Sequence, residues 1–176
     1  MPHNDNQELV TRVTSAVRSA LSDAEGGHDW WHTHRVWQMA CRLAQAERAE
    51  LLIVELGALL HDVADAKFHD GDETAGPRKT EAILTNCGAT KPVIDTVRNL
   101  VAHVSFKGGN HVQEFRSLEL DVVQDADRLD ALGAIGIARA FSYGGYRGTP
   151  LHDPEIKPRL RMTREEYRSQ DRKSVV

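Results

Sequence analysis

The segment Leu59-Leu60-His61-Asp62-Val63-Ala64-Asp65 carries an imidazole and a carboxylate at the end of an apolar run, with a second carboxylate three residues on. Adjacent residues on a helix point about 100° apart. Both can face one cavity when the helix lies along its wall. One imidazole nitrogen and one carboxylate oxygen suit a divalent cation. A His-Asp dipeptide alone carries little weight, so the rest of the chain must supply more ligands. His32 shares a helical face with Val36, Met39, Ala40 and Leu43 and points toward the core. Read alone, it is a hydrogen-bonded core histidine. Asp127 falls on one stripe with Val123, Ala131 and Ala134. A buried carboxylate without a partner is costly, so Asp127 is either salt-bridged to Arg128, Arg35 or Arg139 or a metal ligand. Together His32, His61, Asp62 and Asp127 make a mixed nitrogen and oxygen site suited to Mn, Fe, Co, Ni or Zn, with positions open for water and substrate. Such an ion lowers the pKa of bound water and polarises a phosphoryl oxygen.

The elements that position these residues read as helices. Leu9, Val10, Val13, Val17, Ala20 and Leu21 predict an amphipathic helix over 6–23, ended by Gly26-Gly27. His28-Asp29 open a second helix that runs to about Ala49, with Trp30, Trp31 and Trp37 as core or core-edge packing. Leu51 to Ala64 is apolar on most sides and reads as a central third helix. A polar loop over 67–77 follows, then a short helix over 78–87 with Gly88 as its stop. Pro92 opens the next helix, whose buried face holds Val93, Val97, Leu100, Val101 and Val104. Leu118 to Phe141 is the longest helical pattern. Past it the signal fades into a glycine- and proline-bearing loop over 143–158, and 162–176 is highly charged. The strand signal is poor throughout, so the fold class is all-α.

Composition narrows the function. A chain of 176 residues fits one domain that buries roughly 70% of its unfolded surface. The net charge is −4 with both signs interspersed, which argues against a duplex nucleic-acid surface. Cys41 and Cys87 are the two cysteines, too few for a disulfide framework or a cysteine-based zinc site, and Cys41 reads as a small buried hydrophobe. The most apolar stretch, 51–60, is too short to span a bilayer, and the polar first residues do not resemble a signal peptide. A cytoplasmic enzyme or binding protein is the expectation, with the oligomeric state open.

His32-x-x-Arg35-Val36, His61-Asp62-Val63-Ala64-Asp65-x-Lys67-Phe68, His103-x-Ser105-Phe106, the block Gln124-Asp125-Ala126-Asp127 and Phe141-x-Tyr143-Gly144-Gly145 together resemble the HD-domain metal-dependent phosphohydrolases, in particular the YedJ/YpgQ-type subgroup. The family pattern is H…HD…D on a helical bundle. The resemblance runs from about His28 to Pro154 and implies one HD domain over 1–176, shorter at its carboxyl end than subgroup members, which continue into at least one more helix. It implies metal ligation by His32, His61, Asp62 and Asp127, with Asp125 as the competing choice for the last. It implies an acid–base role for Asp65, whose plainer reading is a surface carboxylate. Lys67, His103 and Lys107 become candidates to bind phosphate, and His103 also a proton donor; each lysine reads as well as a solvated charge. Arg35 reads as the partner of a buried carboxylate. The cofactor expected is one divalent metal, Mn first, with Mg, Fe, Co, Ni or Zn as alternatives. The activity implied is hydrolysis of phosphate esters or anhydrides, foremost a nucleoside triphosphate cleaved to monophosphate and pyrophosphate. The other readings are a non-catalytic nucleotide or metal sensor on the same scaffold, and a helical interaction protein whose inward carboxylates pair with arginines.

Overall fold

The computed structural model describes residues 2–22, 29–64, 72–104, 115–152 and 154–155. Among them are seven helices and no strand: α1 (Pro2–Ala20), α2 (Trp30–Glu47), α3 (Leu51–Leu60), α4 (Ala75–Asn86), α5 (Lys91–Val104), α6 (Leu118–Asp130) and α7 (Gly133–Tyr146). The all-α expectation holds.

The core forms around α3. Ile53, Val54, Leu56, Gly57, Ala58, Leu59 and Leu60 are all buried, and the helix packs against α1, α2, α5 and α6. Gly57 permits this. A Cβ there would lie 2.9 Å from Cδ2 of Leu100 on α5 and 3.5 Å from Val123 on α6. α2 begins where Asp29 caps it, accepting a hydrogen bond from the His32 amide at 2.9 Å. That cap sets the register of a buried stripe, His32, Val36, Ala40 and Ala44, four residues apart. α6 is capped by Ser117, whose hydroxyl accepts from the Leu120 amide, and Glu119 and Asp121 in its first turn complement the helix dipole.

Several local expectations give way. α3 stops at Leu60 instead of Ala64, and residues 61–64 form a turn closed by Val63 N–H to Leu60 O at 3.3 Å. α4 starts at Ala75 rather than residue 78, because Pro77 in a first turn forgoes an N–H that has no helical partner there. Gly88, with φ +79°, ends that segment as expected. Trp30 and Trp37 pack on the core, whereas Trp31 is 58% exposed. Cys41 is only half-buried.

The long pattern over 118–141 is two helices, not one. Leu132 is extended and Gly133 takes φ +63°, which breaks the helix between α6 and α7. A Cβ at Gly136 would stand 2.0 Å from the Ala131 carbonyl oxygen, so the break between the two helices needs glycine there. Ala131 and Ala134 are exposed, and the stripe through Val123 ends at Asp127. α7 runs on to Tyr146, past the expected fade at Phe141, and buries no residue. No helix among the described residues is long and apolar enough to cross a membrane.

Candidate metal centre

Three elements bring four side chains to one point. His32 enters from the first turn of α2, His61 and Asp62 from the turn after α3, and Asp127 from the last turn of α6. The two histidine Nε2 atoms are 3.3 Å apart. Oδ2 of Asp62 is 3.3 Å from each of them. Oδ1 of Asp127 is 3.5 Å from His32 Nε2 and 3.8 Å from His61 Nε2. Ligand atoms of His32, His61 and Asp127 all lie within 4.8 Å of one another, a grouping able to hold a metal ion.

The outer nitrogens fix which atoms face inward. His61 Nδ1 lies 2.8 Å from the Ala58 carbonyl oxygen. That oxygen only accepts, so Nδ1 carries the hydrogen. The early end of α3 makes this bond available, since the last carbonyls of a helix lack helical partners. His32 Nδ1 lies 2.7 Å from Oδ2 of Asp130, again an acceptor. With hydrogen on Nδ1, both imidazoles turn Nε2 toward each other and toward two carboxylates. Four acceptors at this spacing require a positive charge among them. Without a metal, burial pulls the His61 pKa down, but the charge and hydrogen bond of Asp62 and the charge of Asp127 outweigh it and raise it to about 9. A divalent ion meets the same requirement. Ligands about 2.1 Å from such an ion sit about 3.0–3.4 Å apart at octahedral or tetrahedral angles. The separations in the site, 3.3–3.8 Å, lie within or somewhat above that range.

Asp127 differs from its expected burial. Its side chain is 31% exposed, at the mouth of the site rather than in the core. Asp125 points away, 66% exposed and 3.5 Å from Arg128. The buried carboxylate is Asp130, its side chain 8% exposed, and two of the three arginines expected near Asp127, Arg35 and Arg139, turn to it. Arg35 donates to it through Nε at 2.7 Å and a terminal nitrogen at 3.0 Å, and Arg139 from α7 at 3.1 Å. Burial would raise the Asp130 pKa, but hydrogen bonds from Arg35 and His32 hold it below the usual carboxylate value. Asp130 was not singled out from the sequence. The signal was its place three residues after Asp127 on one helix face.

His103 sits on the last turn of α5. Its Nδ1 donates to the Asn99 carbonyl at 2.8 Å, and its ring lies against Phe115. The next residue's carbonyl and its own are tied to α6 through Gln124 Nε2 at 3.3 and 3.0 Å. Asp65, Lys67 and Lys107 lie outside the described residues.

The comparisons with known proteins agree with this geometry. The HD domain family matches residues 30–132, a stretch that begins with α2 and ends two residues after Asp130. The Bacillus subtilis (strain 168) protein YpgQ is 39% identical over 145 residues, 82% of this chain and 70% of YpgQ. A crystal structure of YpgQ in complex with ADP superposes with TM-score 0.71 at 34% identity, covering 86% of this chain and 73% of that one. A Lactobacillus plantarum structure gives TM-score 0.78 at 38% identity, covering 92% and 74%. A structure named as an HD-superfamily hydrolase from Bacillus thuringiensis gives TM-score 0.67 at 38% identity, covering 92% and 78%. With histidines, carboxylates and helices in this arrangement and more than half of its length matched, the chain belongs to the HD-domain family of metal-dependent phosphohydrolases.

Proposed function

We propose that this chain hydrolyses nucleotides, foremost a nucleoside triphosphate to its monophosphate and pyrophosphate, using one divalent ion held by His32, His61, Asp62 and Asp127. Manganese is the first candidate for that ion. The observation that carries the reading is the convergence of two Nε2 atoms and two carboxylates at 3.3–3.8 Å, each imidazole oriented from behind. The ADP complex of YpgQ, a relative over most of the chain, supports a nucleotide as the ligand. The residues 1–176 are read as one HD domain.

A bound divalent ion supplies a water of lowered pKa and draws charge from a phosphoryl oxygen. The chain's own side chains do the rest. His32 and His61 present Nε2, and Asp62 and Asp127 bring the negative charge that keeps a cation in place. Asp65, three residues after Asp62, takes a proton from the attacking water. The water oxygen bonds to the α-phosphorus, and the bond from that phosphorus to the pyrophosphate oxygen breaks. His103 gives a proton to the departing oxygen through Nε2, because its Nδ1 is turned to Asn99. Lys67 and Lys107 hold the phosphate charge that builds on the product side.

The test uses the full chain stripped of metal, reloaded with Mn and offered a panel of nucleoside di- and triphosphates in ¹⁸O-water. The reading expects turnover that depends on the ion, is abolished in Asp62→Ala, and places the label in the monophosphate. Label in orthophosphate would move the attack to a terminal phosphorus. Full turnover by metal-free Asp62→Ala would overturn the reading.

A further inference from the structure

Asp130 is not one of the four inward-facing groups, yet it accepts four hydrogen bonds directly behind one of them. Its Oδ2 accepts from His32 Nδ1 at 2.7 Å, from Arg35 at 3.0 Å and from Arg139 at 3.1 Å, and its Oδ1 accepts from Arg35 Nε at 2.7 Å. Four donors from α2 and α7 thus converge on one nearly buried group on α6. The Arg35 contact is a two-point fork, which fixes the plane of the carboxylate as well as its position. The plane matters because a neutral imidazole has two tautomers. Only the one with hydrogen on Nδ1 leaves the Nε2 lone pair directed at Asp62, Asp127 and His61.

We infer that Asp130 is a positioning residue, which holds His32 in its Nδ1–H tautomer and ring orientation while Arg35 and Arg139 hold Asp130. The inference rests on the reading of His32 as a metal ligand. Arg35 lies one helical turn after His32, so ligand and clamp come from the same stretch of α2. Arg139 extends the same clamp to α7, which buries no residue of its own. Replacing Asp130 by asparagine keeps the shape and changes the chemistry. The two arginines claim the single amide oxygen, and the NH₂ group then faces His32 Nδ1. A donor facing Nδ1 favours hydrogen on Nε2, the nitrogen that must be bare to bind a cation. Partners of this kind behind a ligating histidine are typically worth about 10–100-fold in metal affinity.

The experiment is Mn titration by calorimetry on the full chain, in wild type, Asp130→Asn and His32→Ala, with circular dichroism to confirm folding. Ring ¹⁵N shifts of His32 are measured in the metal-free proteins. The inference expects Asp130→Asn to bind one Mn about 10–100-fold more weakly than wild type, with the Nδ1–H signature of His32 lost, while His32→Ala binds none. Wild-type affinity and an unchanged tautomer in Asp130→Asn, with binding lost in His32→Ala, would overturn the positioning role alone. Wild-type binding by His32→Ala would overturn the ligand reading on which it rests. Should Asp130→Asn not fold, Arg35→Gln carries the test: about tenfold weaker binding supports the clamp, and wild-type affinity rejects it.

Discussion

Asp125 and Asp127 stand two residues apart on α6 in opposite surroundings. Asp127 sits within 3.5 Å of His32 Nε2, while Asp125 pairs with Arg128 in solvent. Asp127→Asn should lose the metal and lower turnover by more than 100-fold, whereas Asp125→Asn should stay within about twofold of wild type. Metal content and initial rates on the two variants check this directly. His103→Gln should keep the full metal content and lose about 100-fold in rate, as expected for a proton donor that is not a ligand. At this scale His61 and Asp62 were legible as an adjacent imidazole and carboxylate closing an apolar run, and His32 and Asp127 as polar side chains on apolar helical stripes, although Asp127 stands at the mouth of the site. Asp130 was not, because in Asp125-Ala126-Asp127-Arg128-Leu129-Asp130 the spacing alone does not say which aspartate the arginines will find. That choice was made by the turn after α3 and the approach of α2 to α6, which no local pattern encodes.

At the scale of elements, the apolar run of α3 named the central helix, but its end did not follow from periodicity. Hydrophobic spacing continues to Ala64, and it is the turn closed by Leu60 that frees the Ala58 carbonyl for His61. Leu60 is fully buried immediately before that turn, so Leu60→Ala should cost about 2–5 kcal/mol in a denaturation experiment. The boundary between α6 and α7 was missed for a related reason: Gly133 and Gly136 read as weak helix formers, whereas they are needed for the break between two helices. The α2–α3 contact also carries a titrating group. Glu55 on α3 accepts from Trp37 Nε1 at 3.2 Å and lies 3.9 Å from Cys41 Sγ, both on α2. Burial lifts its carboxyl above the ordinary value, with the Trp37 and Cys41 bonds only partly opposing. A carboxyl whose folded pKa is raised favours folding below the unfolded value and loses that contribution as pH rises through the folded one. Glu55→Gln keeps an acceptor and removes the charge. It should match wild type near pH 4 and be the more stable protein at pH 7, and urea midpoints at the two values measure the gap.

For the whole molecule, the centre ties together α2, the exit of α3 and α6, segments some 30 to 95 residues apart in the chain. A ligand that binds only the folded state stabilises it by about 2.7 kcal/mol at a hundred times its dissociation constant. For a chain of this size that corresponds to a rise of about 5–10 °C in melting temperature. Saturating Mn should produce it in wild type, and a chelator should reverse it. In Asp62→Ala the melting curve should not respond to the ion. Among the described residues the all-helical class was legible, because strand alternation is missing from the sequence and helical spacing recurs. How the helices meet was not, since close approaches such as Gly57 against Leu100 depend on partners distant in sequence.

The central claim is that four side chains from three elements hold one divalent ion. Elemental analysis after incubation with Mn and desalting tests it most directly, with wild type beside Asp62→Ala and Asp127→Ala. The account predicts about one Mn per chain in wild type and less than about a tenth of that in both variants. A wild-type protein that retains no ion, or variants that retain as much as wild type, would contradict it.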